Sequence, residues 1–283
     1  MGEKKIAILT DSASEISKKA VEQYDIKVIP LRICFSDKTY RDRIEINSGH
    51  FFEKLKEEIP KTSLPSVRDI LKILDEIKGQ GYTDVLYIGL SSGLSGTFHF
   101  VSIVGREYEG LNFYSFDTKM LSGGEGSLVL EAAKMLEKTN DITSVIEKLR
   151  LIRERMSALF VVENLTYLNK GGRIGKVAGT VGSLLHLNPV IEVNEEGVYE
   201  TAGKTIGFTR AIDFLIKEIQ NRFAGKKIIV SLVVGKDREK AIVTLRKIKK
   251  FSEVVESSIG FVTPVLGAHT GPGLLGVIVY TAE

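Results

Sequence analysis

The chain has 283 residues, of which 43% are hydrophobic and 27% charged, and 39 Lys and Arg against 36 Asp and Glu give a formal net charge of +3. This balance is typical of a globular protein of about two domains, and so small and dispersed a basic excess argues against nucleic acid as a partner. No apolar run approaches the roughly 20 residues that span a bilayer, and no signal peptide precedes the first apolar segment, so we expect a cytoplasmic protein without stable membrane insertion. The single cysteine, Cys34, excludes an internal disulfide and a thiolate metal cluster.

Strands and helices alternate in the first half of the sequence. The apolar patterns predict strands at residues 5–10, 26–35, 85–90 and 112–116, and helical segments at about 16–21, 51–59, 67–77, 97–108, 126–136 and 145–156. Ser12 or Ser14 is the expected cap of the first helix, Pro65 precedes the third, and residues 36–42 are interpreted as a polar turn. Alternation of this kind predicts a parallel sheet covered on both faces, in an α/β domain of residues 1–155.

The second half has a different pattern. Strands are predicted at residues 158–162, 189–193, 198–205, 228–234, 253–258 and 275–280, with helices at 211–223 and up to 251. The strands at 189–193 and 198–205 should pair through the turn 195–197. These connections predict an α+β domain of residues 156–283 with a mixed or antiparallel sheet.

Residues 84–97 run from a buried strand into a turn rich in hydroxyl groups and then into a helix that Ser95 or Thr97 can cap. The free N–H groups at a helix start, together with serine and threonine hydroxyls, suit a carboxylate or a phosphate. Thr62, Ser63 and residues 92–97 should all lie at the carboxyl edge of the sheet, where open α/β sheets bind ligands. The alternative is a capped loop that binds nothing.

Two glycine-rich segments contain further candidates. Arg173 lies in the turn 168–175, where its guanidinium could clamp a carboxylate, although a plain surface turn explains the pattern equally well. His269 and Thr270 lie in residues 267–273, interpreted as a loop whose glycines let the backbone approach a ligand. A lone histidine of this kind is as often structural as functional.

Three other patterns in the sequence offer alternative sites. Residues 89–93 match G-x-S-x-G, so Ser91 with Asp117 and either His186 or His269 could form a hydrolase triad, but residues 94–96 make the loop too long for a nucleophile elbow. Residues 271–276 match G-x-G-x-x-G but precede a strand, and the glycines of residues 197–203 are one position too far apart for a P-loop. No cluster has metal-ligand spacing. A lipid ester hydrolase and a receptor for another small carboxylate or phosphate remain the alternative functions.

Five motifs in order carry a resemblance to a known family: Thr-Asp-Ser at 10–12, Thr-Ser-Leu-Pro-Ser at 62–66, Ser-Ser-Gly-Leu-Ser-Gly-Thr at 91–97, Gly-Gly-Arg-Ile-Gly at 171–175 and His-Thr-Gly-Pro-Gly at 269–273. The sequence resembles the DegV family of bacterial fatty-acid-binding proteins, which act as the lipid-carrying subunit of fatty acid kinase. The resemblance runs nearly from end to end.

The resemblance implies a long-chain fatty acid, such as palmitate, in a tunnel between two domains. The residues implied to hold its carboxylate are Thr62 and Ser95, with Ser63, Ser92, Gly96, Arg173, His269, Thr270 and Gly271 nearby. A separate ATP-dependent fatty acid kinase would phosphorylate the bound acid, giving an acyl phosphate for phospholipid synthesis. The protein itself would then be a non-enzymatic carrier in lipid metabolism, with no catalytic residue, cofactor or metal ion of its own.

The sequence departs from the family pattern in three places. Residues 98–100, Phe-His-Phe, are bulkier than usual and are expected to narrow the tunnel. Asn188 precedes Pro189 where the family often has lysine, and Thr118 replaces a serine after Asp117. Acyl-chain preference is left open by these changes.

Overall fold

The computed structural model describes residues 5–180 and 187–282. In chain order the strands are β1 (Ile6–Asp11), β2 (Lys27–Ile29), β3 (Arg32–Cys34), β4 (Thr39–Arg41), β5 (Lys61–Ser63), β6 (Asp84–Gly89), β7 (Asn112–Asp117), β8 (Met156–Val162), β9 (Leu187–Val193), β10 (Tyr199–Ile206), β11 (Lys227–Val234), β12 (Glu253–Phe261) and β13 (Leu274–Thr281). The helices are α1 (Lys18–Gln23), α2 (Ser48–Lys54), α3 (Val67–Gly79), α4 (Thr97–Arg106), α5 (Ser122–Leu136), α6 (Ile142–Glu154), α7 (Thr166–Lys170), α8 (Phe208–Phe223), α9 (Arg238–Ile248) and α10 (Pro264–Thr270). Short 3-10 helices occupy Ser12–Ser14 and Gly175–Thr180.

These strands form three sheets. Strands β2-β1-β6-β7, in that order, make a four-stranded parallel sheet. Strands β4-β3-β5 make a three-stranded antiparallel sheet. Strands β10-β9-β8-β13-β11-β12 make a six-stranded mixed sheet, in which β11 and β12 pair in parallel and the other neighbours are antiparallel. The predicted α/β class with a parallel and a mixed sheet is confirmed, as is the β9–β10 pair; the domain boundary between residues 155 and 156 stays a prediction.

Alternate residues of β6 point to opposite faces of the parallel sheet, so both faces are covered as predicted. Val85 and Tyr87 pack towards α3 and α4, whereas Leu86 and Ile88 pack towards α5. Helix α5 contacts β1 and β6 of the parallel sheet and β11 of the mixed sheet, so it lies between the two sheets, and α6 packs against α5 and β13. Helices α8 and α9 cover the other face of the mixed sheet.

Local sequence explains why these elements form where they do. Helix α3 buries Ile70, Leu74 and Ile77 along one face, and Ser66 Oγ accepts a hydrogen bond from Asp69 N at 3.1 Å to cap its first turn. Strand β6 is buried along its whole length, as a parallel strand covered on both faces must be. Among the helices of the described ranges, none combines the length and the apolar character needed to span a bilayer.

The prediction of one strand at residues 26–35 is wrong. These residues form β2 and β3, which belong to different sheets. Pro30 lies between them, and proline has no N–H to donate to a sheet ladder. The predicted polar turn at 36–42 is also wrong in part, because residues 39–41 form β4 and pair with β3.

Helix starts differ from the prediction in three places. Ser17, and not Ser12 or Ser14, caps α1, its Oγ accepting from Ala20 N at 3.2 Å. Helix α5 begins at residue 122, four residues before its predicted start. Residues 264–270, which include His269, form α10 instead of a loop, because Pro264 is well suited to the first helical turn.

Asp11, at the end of β1, is a fully buried carboxyl group. Its oxygens accept hydrogen bonds from Ala13 N at 3.0 Å, from Leu90 N at 3.1 Å and from the Tyr87 hydroxyl at 3.1 Å. Burial outweighs these bonds and raises the pKa of Asp11 from 3.8 to about 6. The carboxyl group therefore links β1 to the turn after β6. The free-energy cost of burying it rises with pH, because the ionised form is the one that burial disfavours.

We expect Asp11→Asn to weaken the pH dependence of folding stability. Because the folded pKa lies above the unfolded one, the stabilisation by Asp11 is complete below about pH 4 and is lost as the pH rises through about 6, a change on the order of 3 kcal/mol. Urea unfolding of the parent protein and of Asp11→Asn across this range measures the two slopes. Equal slopes would show that Asp11 has the same pKa folded and unfolded.

Candidate functional site: a polar cavity joined to an apolar one

A cavity of about 160 Å³ lies at the carboxyl edge of the parallel sheet, and we call it the polar cavity because Arg173, His269 and several hydroxyl groups stand among its leucines. The residue after β6, the turn before α4, strand β5, helix α10 and the first residue of β10 all contribute to its walls, so both halves of the chain build it. The lining residues are Leu31, Thr62, Ser63, Leu64, Leu90, Leu94, Ser95, Gly96, Thr97, Leu121, Arg173, Tyr199, Val265, Leu266, His269 and Thr270.

Most of the predicted site residues meet in this cavity. Those that line it are Thr62, Ser63, Ser95, Gly96, Arg173, His269 and Thr270. Ser92 is outside the lining, where its Oγ accepts a hydrogen bond from Lys119 Nζ at 2.7 Å. Gly271 is also outside; it follows the last turn of α10 with a φ of 69°, and a Cβ there would lie 2.4 Å from the Tyr167 ring.

His269 is held on the wall by Thr62. Thr62 Oγ1 and His269 Nε2 are 2.9 Å apart, which links β5 to α10 across 207 residues of sequence. Burial, together with the positive charge of Arg173, lowers the pKa of His269 from 6.5 to about 4, so the imidazole is neutral at physiological pH. When Nε2 carries the proton and donates it to Thr62, the Thr62 hydroxyl is free to donate to a ligand.

Arg173 brings a positive charge to the cavity. Its Nη1 donates to Gly171 O at 2.7 Å and its Nε donates to Leu94 O at 3.4 Å. Both acceptors are neutral backbone carbonyls, so they orient the guanidinium without cancelling its charge. An anionic group in the cavity would be attracted to this side chain.

The turn before α4 is organised by its hydroxyl groups. Ser95 Oγ lies 2.9 Å from Thr97 Oγ1 and accepts a hydrogen bond from Thr97 N at 3.2 Å. Ser95 therefore supports the helix start from the residue before Gly96, which occupies the cap position itself. This arrangement keeps both Ser95 and Thr97 on the cavity wall.

The structure does not bring Ser91, Asp117 and His269 together as a triad. Ser91 is buried and donates its hydroxyl proton to Gly197 O at 2.8 Å, while Asp117 Oδ1 accepts from Ser92 N at 3.2 Å. His269 Nε2 is engaged with Thr62, and its Nδ1 has no hydrogen-bond partner among the described residues. His186, the other candidate base, lies outside the described residues.

A second, apolar cavity of about 50 Å³ adjoins the first. Four residues line both: Leu121, Tyr199, Leu266 and Thr270. The rest of its lining comes mainly from the face of the mixed sheet that looks towards α5, and consists of Ser122, Ala158, Leu159, Phe160, Val193, Val233, Val262, Leu274, Gly276 and Ile278. A polar compartment thus leads directly into an apolar one between the two sheets.

Sequence reasoning missed Tyr199 and Leu121, which line both cavities. No motif marks them, because each sits at the start or just before the start of an ordinary element. The expected narrowing by residues 98–100 is not seen, since none of them lines either cavity and Phe98 stacks on Tyr87 with ring centroids 5.9 Å apart. Among residues 5–180 and 187–282, no group of His, Cys, Asp and Glu is arranged to hold a metal ion.

Comparisons with known proteins place the chain in a family. A protein-family model described as an uncharacterised protein of the DegV family matches residues 5–282. The chain belongs to the DegV family. A DegV domain-containing protein of Clostridium acetobutylicum is 38% identical over 280 residues, which is 98% of this chain and 99% of the relative.

Solved structures of DegV proteins share the fold. A DegV lipid-binding protein from Thermotoga maritima is 32% identical, with a TM-score of 0.89 over 99% of both chains. A fatty-acid-binding DegV protein from Thermus thermophilus is 29% identical, with a TM-score of 0.90 over 98% of this chain and 100% of that one.

In this DegV protein, His269 occupies space that is free only because residue 171 is glycine and has no side chain. A Cβ at position 171 would lie 2.1 Å from His269 Nδ1, so Gly171→Ala must push the imidazole away from Thr62. We expect the His269 ring signals to shift and its pKa to rise towards 6.5, as measured by nitrogen NMR between about pH 4 and pH 8. Gly179→Ala is the control, because nothing lies within 4 Å of a Cβ there. Unchanged His269 signals in Gly171→Ala would contradict this contact.

Proposed function

We propose that this DegV protein binds a long-chain fatty acid such as palmitate, with the carboxylate in the polar cavity and the acyl chain in the apolar one. The junction of the two cavities at Leu121, Tyr199, Leu266 and Thr270 carries this proposal. A ligand that fills both must be polar at one end and apolar along the rest of its length. The descriptions of the related Thermotoga and Thermus proteins as lipid-binding and fatty-acid-binding support the same ligand class.

The proposed head-group site uses charge and neutral donors together. The hydroxyls of Thr62 and Ser95 donate to the carboxylate oxygens, and Arg173 balances the negative charge. His269 orients Thr62 through the 2.9 Å contact and, being neutral, adds no second cation. The remaining residues of the proposed site are Ser63, Gly96 and Thr270 on the cavity wall, with Ser92 and Gly271 supporting it from outside the lining.

The acyl chain should dominate the binding free energy. Burying about fourteen methylene groups at roughly 0.8 kcal/mol each supplies on the order of 10 kcal/mol, before the ordering costs of binding. Each hydrogen bond to the charged carboxylate adds only about 1.5 to 3 kcal/mol. The tail therefore sets the affinity, whereas the head group fixes the position and direction of the ligand.

A sixteen-carbon chain is larger than an apolar cavity of about 50 Å³, so binding requires the cavity walls to move. Leu121 and Leu266 lie between the two cavities and are unbranched at Cβ, so a change of rotamer can widen the junction. We expect these two leucines to move most when the ligand enters.

In the proposed pathway, a separate ATP-dependent fatty acid kinase transfers the γ-phosphoryl group of ATP to a carboxylate oxygen of the bound acid. ADP leaves, and the acyl phosphate becomes available for phospholipid synthesis. The carrier supplies no nucleophile in this scheme, which agrees with Ser91 being buried and bonded to Gly197 O. We place the ligand between a domain of residues 1–155 and one of residues 156–283, in a protein that works in the cytoplasm.

Filling the apolar cavity should abolish binding. Gly276 lines it, and a Cβ there would make only ordinary contacts, 3.7 Å from Phe160 Cβ, so Gly276→Leu puts its side chain into the space for the acyl chain without disturbing the sheet. We expect calorimetric titration of delipidated Gly276→Leu with palmitate to show at least about a hundredfold loss of affinity. Gly260→Leu, in β12 with nothing within 4 Å of its Cβ, is the matched control. Parent-like affinity in Gly276→Leu would place the acyl chain elsewhere.

Removing one head-group donor should have a smaller effect. Ser95→Ala deletes a hydroxyl on the polar wall but leaves the apolar cavity intact, so we expect palmitate affinity to fall by about tenfold to a hundredfold, equivalent to one charged hydrogen bond. The same titration measures it, with hexadecanol as a ligand that lacks the carboxylate and should bind both proteins alike. Complete loss of palmitate binding in Ser95→Ala would mean that the head group, and not the tail, dominates affinity.

A further inference from the structure

Helix α10, which carries His269, is capped by carboxyl groups from distant parts of the chain. Glu15 Oε1 accepts a hydrogen bond from Thr263 N at 2.7 Å, and Asp42 Oδ1 accepts one from Val265 N at 3.3 Å. These pairs are separated by 248 and 223 residues in sequence. Between them stands Pro264, which has no N–H to satisfy.

Thr263, the residue at the N-terminal cap position of α10, does not cap the helix with its own side chain. Threonine is a favoured cap, yet Thr263 makes no side-chain cap hydrogen bond, and its buried Oγ1 has no partner among the described residues. The N–H groups at the start of α10 therefore depend on Glu15 and Asp42 for their acceptors.

The backbone at Glu15 adds a second, independent observation. Glu15 has a φ of 53°, a left-handed conformation that glycine adopts with less strain than other residues. Its other carboxylate oxygen accepts a short hydrogen bond from Ser122 Oγ, and Ser122 is also left-handed, with a φ of 57°. Two strained residues thus meet at the start of α10, and strain of this kind persists only where the surroundings hold it.

Asp42 links the same helix to the cavity wall. Asp42 N donates to Leu31 O at 2.9 Å, and Leu31 lines the polar cavity. Asp42 is buried and Glu15 is half-buried, and desolvation raises the pKa of each carboxyl group to about 7, with Arg43 acting in the opposite direction on both. The chain thus removes two acidic groups from water at a cost, and their contacts converge on one short helix.

The geometry points to Glu15 and Asp42 as positioning residues of the ligand site: they hold the first turn of α10 and thereby place Val265, Leu266 and His269 on the cavity wall. They do so without lining the cavity themselves. The contribution of these two residues to ligand affinity rests on the proposed fatty-acid function, whereas their control of the His269 position does not.

Glu15→Gly tests this, since it removes the carboxyl group and at the same time relieves the left-handed backbone, which protects the fold. We expect the His269 ring signals in nitrogen NMR to shift and broaden, and palmitate affinity to fall by about tenfold, because a looser α10 must be ordered on binding. Asp25→Gly is the matched control: Asp25 has a φ of 49° and its carboxylate contacts Lys27 and Tyr82 far from α10.

Two Asp42 variants give an independent check. Asp42→Ala should reproduce the His269 shift, while Asp42→Asn, which keeps an acceptor oxygen for Val265 N, should restore the parent spectrum. Parent-like His269 signals in both Glu15→Gly and Asp42→Ala would overturn the inference. If the parent protein fails to bind palmitate, the proposed function fails, and the His269 spectra still decide whether the two carboxyl groups position α10.

Discussion

The contact between Thr62 and His269 is the constraint on which the polar cavity depends. The contact joins β5, in the first half of the chain, to α10, near the end of the chain. Both elements line the cavity, so the contact fixes two of its walls relative to each other. A single hydrogen bond of this kind contributes only about 1 kcal/mol. The Thr62–His269 contact persists because Glu15 and Asp42 already fix the start of α10. Forming the contact therefore costs little further conformational entropy.

The electrostatics of the cavity follow from that contact. Burial beside Arg173 keeps His269 uncharged, so the guanidinium of Arg173 is the one positive charge among the side chains that line the cavity. One cation balances one carboxylate, whereas two buried cations would carry an uncompensated charge at high cost. None of the residues that line the apolar compartment beyond Leu121 and Leu266 is charged, which suits the proposed ligand, charged at one end only.

Local rules in the sequence predicted part of the cavity wall, since Ser95 follows a parallel strand at the carboxyl edge of its sheet. Thr62 lines the same cavity, but it does so from β5 of the antiparallel sheet, so the expectation that it lies at the end of a parallel strand is wrong. The sequence alone did not indicate contacts between residues that lie far apart in the chain. The glycines at 267, 271 and 273 suggest a loop, but residues 264–270 form a helix whose caps come from positions 15 and 42. Ser92 has a hydroxyl group suited to the site, but its hydrogen bond with Lys119 holds it outside the cavity lining. Tyr199 reaches the cavity only through the register of β10 in the mixed sheet.

Helix α5 packs against both sheets, and α6 packs against α5 and the mixed sheet. The apolar cluster around them includes Leu86 and Ile88 of the parallel sheet and Phe160 and Ile278 of the mixed sheet, so both halves of the chain build this part of the core, while two other clusters lie within one half each. Severing the chain between residues 155 and 156 would expose the apolar face of the mixed sheet that α5 and α6 cover, and an exposed face of this kind promotes aggregation. The intact chain should therefore unfold in one cooperative transition, and a ligand bound between the sheets would protect helices α8 and α9, which it never touches.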